Sequence, residues 1–245
     1  KELADVDITK EPMEVGPTCH YVMGGVEVDP DTEQTKLPGL FAAGEVSGGM
    51  HGSNRLGGNS LSDLIVFGKR AGEYAVKFVK ANGATKLDAA QVDKVINESL
   101  QPFERGSKGE NPYKVQQDLQ DTMHNLVGIV RTESEMKEAL VKIEALNARA
   151  AAVGVEGHRE YHAGWHTAID VRNMLSISEA IARSAIERKE SRGGHFREDY
   201  PDKDPAFATF NVCTKRVAGG GMEVSRIPLA PIPDELKQVI EEQKS

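Results

Sequence analysis

The stretch that decides the fold is GEVSGGMHGSNRLGGNSL, residues 44–61, which is followed by the helix-like run SDLIVFGKRAGEYAVKFVKA, residues 62–81. Six glycines stand within residues 44–61. Glycine costs backbone entropy on folding, so such a loop indicates tight turns or a backbone that lies close to a ligand. The apolar run LFAAG, residues 40–44, is typical of a buried parallel strand, although its periodicity also fits a helical fragment. A strand, a glycine loop and a helix in this order place a helix N-terminus against an anion or a polar ring.

A set of polar residues with the glycines around them predicts a binding site: His20, Glu45, His51 and Arg55. Arg55 offers a planar fork of donors that binds a carboxylate bidentately, and His20 could add a second donor. Glu45 follows the predicted strand, at the sheet edge where doubly wound folds bind their cofactors, and a carboxylate there accepts from ligand hydroxyls. The alternative is that Arg55 forms a surface salt bridge and the glycines only make loops.

Composition excludes several classes of protein. The formal net charge of −8 argues against a general nucleic-acid binder, and 39% hydrophobic with 28% charged residues is typical of a folded globular protein. No apolar run approaches the length of a membrane span. Cys19 and Cys213 are too few for a disulfide framework and fit a reducing compartment.

Beyond residue 82 the sequence becomes helical in character. Residues 19–28 predict a strand or a hairpin, the segment AFATFNVCTKRV, 206–217, predicts a strand, and DELKQVIEEQ predicts a short final helix. The segments whose apolar residues recur with a 3.6-residue period are 88–104, 112–130, 132–152 and 168–190. Pro112 suits a first helical turn, and Thr132 with Glu135 forms the pattern of a capping box. Successive helices with short links predict an antiparallel bundle.

Five sequence blocks follow one another along the chain: HYVMGG (20–25), LPGLFAAGE (37–45), HGSNRLGGNSL (51–61), DLIVFGKRAG (63–72) and ESRGGHFREDYP (190–201). Together and in this order they resemble the succinate dehydrogenase/fumarate reductase flavoprotein family. The resemblance implies an α/β, Rossmann-like FAD-binding segment over residues 1–80, an α-helical bundle domain over 81–190 and a small mixed C-terminal domain over 191–245.

The resemblance also implies roles for individual residues. By this resemblance His20 and Arg55 bind the dicarboxylate, and the backbone of Gly58 lines the same site. The positions that it implies for FAD contact are Glu45, Gly57, Asn59, Ser60 and Leu61. The start of the helix would then stabilise negative charge on the reduced flavin, with Arg55 facing the substrate on the other side.

Other parts of the family pattern are absent from the sequence. No GxGxxG motif follows a strand, and neither the histidine that often carries flavin nor the capping-domain arginine that moves the substrate proton is present. We therefore expect the chain to be the C-terminal portion of a longer flavoprotein, with no catalytic proton donor of its own. The resemblance further implies two kinds of partner, membrane anchor subunits and an iron–sulfur subunit, at the cytoplasmic side of the inner (cell) membrane.

Alternative functions remain open from the sequence. Aspartate oxidase and soluble fumarate reductases share these blocks, and a non-catalytic docking module without bound cofactor is the rival from another class. His158, His162 and His166 have helical spacing, but Gly157 and Gly164 are expected to break that helix, so packing is favoured over a zinc site. Around Arg192, His195 and Arg197 the charges predict a salt-bridged structural corner.

Overall fold

The computed structural model describes residues 5–16, 19–83 and 86–242. The chain divides after residue 85 into two compact units, called here the N-terminal unit and the C-terminal unit. The domain boundaries predicted at 80/81 and 190/191 stay predictions.

The N-terminal unit is built from turns and single β-bridges that precede one long helix. Val26 bridges Ser47 in parallel, Val28 bridges Thr35, and Gln34 bridges Phe41. Residues 40–44, all of which the structure describes, form no strand, so the strand predicted there is wrong. The reason is that a parallel strand requires a neighbour that pairs along its length, and LFAAG pairs with the described residues only through that one bridge at its second residue.

Helix α1 is Asn59–Asn82. It begins three residues before the predicted Ser62, directly after Gly58, whose φ of 82° is left-handed and ends the loop. A non-glycine residue is strained in that conformation, which explains why the loop has glycine at this position.

The C-terminal unit contains the four helices that the periodicity predicts. They are α2 (Ala89–Arg105), α3 (Pro112–Leu126), α4 (Glu133–Ala151) and α5 (Ala163–Glu187). Of these, α3, α4 and α5 form the packed bundle. Asp88 and Asn111 cap α2 and α3 with their side chains. Thr132 caps α4, although its hydroxyl also donates to Glu135 Oε2, so the pair differs from an ordinary capping box.

Two helix boundaries differ from the sequence prediction by four or more residues. Helix α3 ends at Leu126 and not at residue 130, since Val130 and Arg131 form the short strand β1. Helix α5 begins five residues before the predicted 168, because the His162 ring accepts the N–H of Trp165 and caps it. Gly164 therefore lies inside the first turn of α5 and does not break that helix. His158 and His162 precede α5, so the three histidines do not share one helix, as expected.

The core of the bundle consists of the apolar stripes of α3, α4 and α5. Two clusters run along their interface, with Met123 packed against both. The first consists of Val115, Leu119, Ile143, Leu146, Ala150, Val153, Val155, Ala168, Val171 and Leu175. The second consists of Val127, Met136, Ala139, Ala182 and Ala185. Removal of this apolar surface from water is the main stabilisation of the bundle.

The remaining elements follow the bundle. Strand β2 (Phe196–Arg197) pairs in parallel with β1. Strands β3 (Phe210–Arg216) and β4 (Met222–Pro228) form an antiparallel hairpin, and helix α6 is Asp234–Glu242. The first part of the predicted strand 206–217 is instead a 3-10 turn, because Asp204 caps it and Pro205 starts it. Within the described residues, no helix is long and apolar enough to cross a membrane.

Candidate functional site

The segment HYVMGG lies alongside the start of the glycine-rich loop. The Val26 N–H donates to the Val46 carbonyl at 2.7 Å, and the Gly48 N–H donates to the Val26 carbonyl at 2.9 Å. Gly25 permits this approach, since a Cβ there would collide with the Val46 carbonyl and stand 2.8 Å from the Ser47 carbonyl carbon. Two segments that lie about twenty residues apart in sequence are thereby fixed side by side.

Glu45 takes part in the same contact. It is exposed at the 3-10 turn Gly44–Val46, and its Oε1 accepts the Val22 N–H at 3.0 Å. The other carboxylate oxygen, Oε2, has no hydrogen bond within the described residues and remains able to accept from a ligand hydroxyl.

A cluster of four side chains lies at the end of this loop and the start of α1. The Asp63 Oδ2 accepts from the Tyr21 hydroxyl at 3.4 Å and faces the His51 Nε2 at 3.2 Å. Tyr21 and His51 meet edge to face, with ring centroids 5.5 Å apart. The Arg55 guanidinium carbon lies over the Tyr21 ring, 4.7 Å from its centroid, which is the geometry of a cation–π contact.

Arg55 retains unused donors in this arrangement. The side chain is half-buried, and its Nη1 donates to the carbonyl of its neighbour Leu56 at 3.1 Å. The Arg55 Nε is buried and has no hydrogen-bond partner among the described residues. A buried N–H without an acceptor costs free energy, so the geometry calls for an acceptor at this edge of the guanidinium.

The first turn of α1 is open. No side chain of the described residues caps it, and a Cβ at Gly57 or Gly58 would meet none of their atoms within 4 Å. Asn59 and Leu61 are exposed, and Ser60 is half-buried. An uncapped helix N-terminus next to open space can accept a polar ring or an anionic group.

The structure brings most of the predicted site residues into one region and leaves one apart. Arg55 contacts Tyr21, and Glu45 accepts the Val22 N–H. Both Tyr21 and Val22 lie in the segment that carries His20. His20 itself is exposed and makes no hydrogen bond or ion pair with another described residue.

Sequence reasoning missed Tyr21 and Asp63. The only available signals were that Tyr21 follows His20 and that Asp63 follows the glycine loop in an otherwise apolar run. An aspartate near a helix start is common for electrostatic reasons, so its position alone did not mark it as part of a site.

The basic corner predicted around Arg192, His195 and Arg197 is confirmed, and its charges are paired. Burial opposes ionisation of Glu190, but hydrogen bonds from Arg192, from the Asp204 N–H and from Arg188 outweigh it and lower the pKa of Glu190 to about 2. Glu190 is fully buried, so this pairing is what makes its charge tolerable.

Arg197 is the second centre of this corner. It is fully buried and binds Asp199 bidentately, with both N–O distances at 2.7 Å, and its Nη1 donates to the Ala185 carbonyl near the end of α5. The hydrogen bonds from Arg197 are the largest cause that lowers the pKa of Asp199 to about 2.

Comparison with known proteins gives two matching family models. The model of the fumarate reductase flavoprotein C-term matches residues 116–238, and that of an FAD binding domain matches residues 1–61.

Individual relatives agree with these models. The fumarate reductase flavoprotein subunit of Haemophilus influenzae is 37% identical over 204 residues, which are 81% of this chain and 34% of that protein. The succinate dehydrogenase flavoprotein subunit of Coxiella burnetii is 35% identical over 217 residues, 84% of this chain and 37% of that protein. A solved structure of Mycobacterium smegmatis Sdh1 in complex with UQ1 has a TM-score of 0.90 at 50% identity and covers 99% of this chain and 41% of that one. The chain thus spans little more than a third of the length of these curated relatives.

Proposed function

The chain belongs to the succinate dehydrogenase/fumarate reductase flavoprotein family, and from that membership we propose that it is part of a flavoprotein subunit that interconverts succinate and fumarate. In this proposal residues 1–80 are the C-terminal part of a Rossmann-like FAD-binding domain. Residues 81–190 are a helical domain and residues 191–245 a small C-terminal domain. The FAD binding domain match over residues 1–61 supports the first of these assignments.

The observation that carries the proposal is the set of contacts that Arg55 makes and the hydrogen bond that its Nε lacks. Its guanidinium is held over the Tyr21 ring, its Nη1 is bound to the Leu56 carbonyl, and its buried Nε has no acceptor within the described residues. A substrate carboxylate would supply that acceptor, and a planar guanidinium can bind it through two parallel hydrogen bonds. His20 would donate to the same dicarboxylate, and the Gly58 backbone would line the site.

The residues present also fit FAD. The start of α1 has no side-chain cap, Gly57 and Gly58 adjoin open space, and the Glu45 Oε2 is available as an acceptor. When bound, FAD would exchange a hydride with the substrate. The backbone N–H groups of Asn59 to Leu61 and the positive end of α1 would then stabilise negative charge placed against them, and Glu45 would accept from a cofactor hydroxyl.

We also propose that this chain works in a complex with other subunits. Electrons would pass to an iron–sulfur subunit, while membrane anchor subunits would hold the complex at the cytoplasmic side of the inner (cell) membrane, with the flavoprotein peripheral. The group that moves the substrate proton would be an arginine outside residues 1–245.

A second candidate is a docking module that holds no cofactor alone. It is favoured by α1, a helix of 24 residues in which Asp63 is the only buried one. Ile65 and Val79 are 74% and 60% exposed, and an α/β fold would cover such a face with a sheet. Flavin absorbance of the purified protein separates the two candidates, because a docking module would be colourless.

The test of the substrate site is Arg55→Lys in the complete flavoprotein. A point ammonium cannot replace a bidentate fork, so we expect fumarate binding to weaken by about 2 kcal/mol, roughly 30-fold, while flavin content stays unchanged. The matched control is Arg70→Lys on α1, whose guanidinium donates to the Pro30 carbonyl and lies over the Phe67 ring, and which should not affect fumarate binding. Unchanged fumarate affinity in Arg55→Lys would remove Arg55 from the site.

A further inference from the structure

Asp63 is a buried carboxylate that the proposed binding roles do not use. It is 4% exposed, and its Oδ2 receives both the Tyr21 hydroxyl and the His51 Nε2. Its Oδ1 is also buried and has no hydrogen-bond partner among the described residues. Burial of a carboxylate with an unsatisfied oxygen is expensive, so its position requires an explanation.

The usual structural reasons for an aspartate near a helix start do not apply to Asp63. It is the fifth residue of α1, and the first turn of the helix contains no acidic residue. The favourable effect of negative charge on a helix dipole fades beyond that turn, and the Asp63 side chain caps no backbone N–H.

The contacts of Asp63 lead to Arg55 in two steps. Asp63 accepts a hydrogen bond from the Tyr21 hydroxyl. The face of the Tyr21 ring contacts the Arg55 guanidinium, whose carbon lies 4.7 Å from the ring centroid. His51 packs against the same ring in an edge-to-face arrangement with an interplanar angle of 81°, so its bond to Asp63 also supports Tyr21. The orientation of the Tyr21 ring is thus fixed by the hydrogen bond at its hydroxyl and by the contact with His51.

We propose that Asp63 is a positioning residue for dicarboxylate binding: it holds Tyr21 and His51 so that the Tyr21 ring presents the free edge of Arg55 to the substrate. This inference rests on the proposed function of Arg55 as the carboxylate-binding residue. The Tyr21 hydroxyl stays protonated and able to donate, because burial first, and then the charges of Asp63 and Glu45, raise its pKa.

The test uses the complete flavoprotein in its oxidised state, which binds fumarate without turnover. We expect Asp63→Asn to weaken fumarate binding, measured by calorimetry, about tenfold at unchanged flavin content, because an amide is a weaker acceptor than a carboxylate. In succinate oxidation KM should rise more than kcat falls. The control Glu73→Gln removes one negative charge from an exposed ion pair on the same helix and should bind fumarate as the unmodified protein does.

A double variant distinguishes positioning from a general structural role. If Asp63 acts through Arg55, Asp63→Asn combined with Arg55→Lys should bind fumarate no more than about twofold more weakly than Arg55→Lys alone. If Asp63→Asn instead caused a general structural defect, the losses of fumarate affinity from the two substitutions would multiply, and that result would overturn the proposal. Unchanged affinity in Asp63→Asn would overturn it as well.

Tyr21→Phe keeps the proposal testable if Asp63→Asn loses flavin or fails to fold. It deletes the same hydrogen bond from the other side and leaves the ring under Arg55, so we expect severalfold weaker fumarate binding. Unchanged affinity in Tyr21→Phe would then reject the positioning role. If Arg55→Lys also binds fumarate normally, the proposed function fails first; if only Arg55→Lys is impaired, the positioning role alone is wrong.

Discussion

His195 should make the C-terminal unit lose stability in mild acid. Its Nδ1 lies 3.0 Å from the Arg131 Nη1, and its Nε2 lies 3.0 Å from the Arg188 carbonyl. Arginine can only donate, so the Nδ1 must accept and the proton must sit on Nε2. Burial above all, and then the charges of Arg131, Arg197 and Arg188, lower the pKa of His195 to about 4, although the hydrogen bond to the Arg188 carbonyl opposes the shift.

The size and sign of the effect follow from this shift. Between pH 6.5 and about 4 the unfolded chain binds a proton at His195 and the folded chain does not, so the free energy of unfolding falls as the pH falls. A pKa lowered from its ordinary value of 6.5 to about 4 corresponds to about 3 kcal/mol, of which about 2 kcal/mol is lost between about pH 7 and pH 5. Below pH 4 both states are protonated and this contribution stays constant.

The assay is urea unfolding followed by the fluorescence of Trp165. This is the chain's single tryptophan, and its indole N–H donates to the Ser99 carbonyl inside the C-terminal unit. His195→Gln removes the titration, so its stability should change by about 2 kcal/mol less than that of the unmodified chain between about pH 7 and pH 5. The control His158→Gln replaces an exposed histidine of the same unit and should keep the original pH dependence. An equally steep dependence in His195→Gln would refute the reasoning.

Two further variants test burial and close approach. Arg197→Ala removes the fully buried partner of Asp199 and should lower the free energy of unfolding by about 3–5 kcal/mol in the same urea assay, whereas Arg226→Ala breaks an exposed pair and should cost less than about 1 kcal/mol. Similar losses in both would contradict the role given to burial. Gly25→Ala would push its Cβ into the Val46 carbonyl, so hydrogen exchange at the Val26 and Gly48 amides should become faster by roughly one to two orders of magnitude. The control Gly68→Ala on α1, whose Cβ would meet no described atom within 4 Å, should leave this exchange unchanged.

Local patterns in the sequence predicted the helices well, because they depend on neighbours a few residues apart. The apolar period placed α2 to within a residue, and Pro112 and Thr132 marked the starts of α3 and α4. The ends were less predictable: His162 starts α5 early through a ring nitrogen, a cap that periodicity does not reveal. The strand predicted over residues 40–44 failed because strand formation depends on a partner, which no local pattern supplies.

The sequence by itself determined that residues 88–190 are mainly helical, that a glycine loop precedes α1, and that the ordered blocks belong to one flavoprotein family. Only the tertiary structure decided which charged side chains are buried and which groups they contact. Asp63 bonds to Tyr21 across 42 positions of the chain, and Arg197 reaches the end of α5. The physical reason is that spacing of three or four residues fixes a helix face directly, whereas contacts between distant residues depend on how whole elements pack. The Tyr21–Asp63 support of Arg55 therefore became visible only in the folded chain.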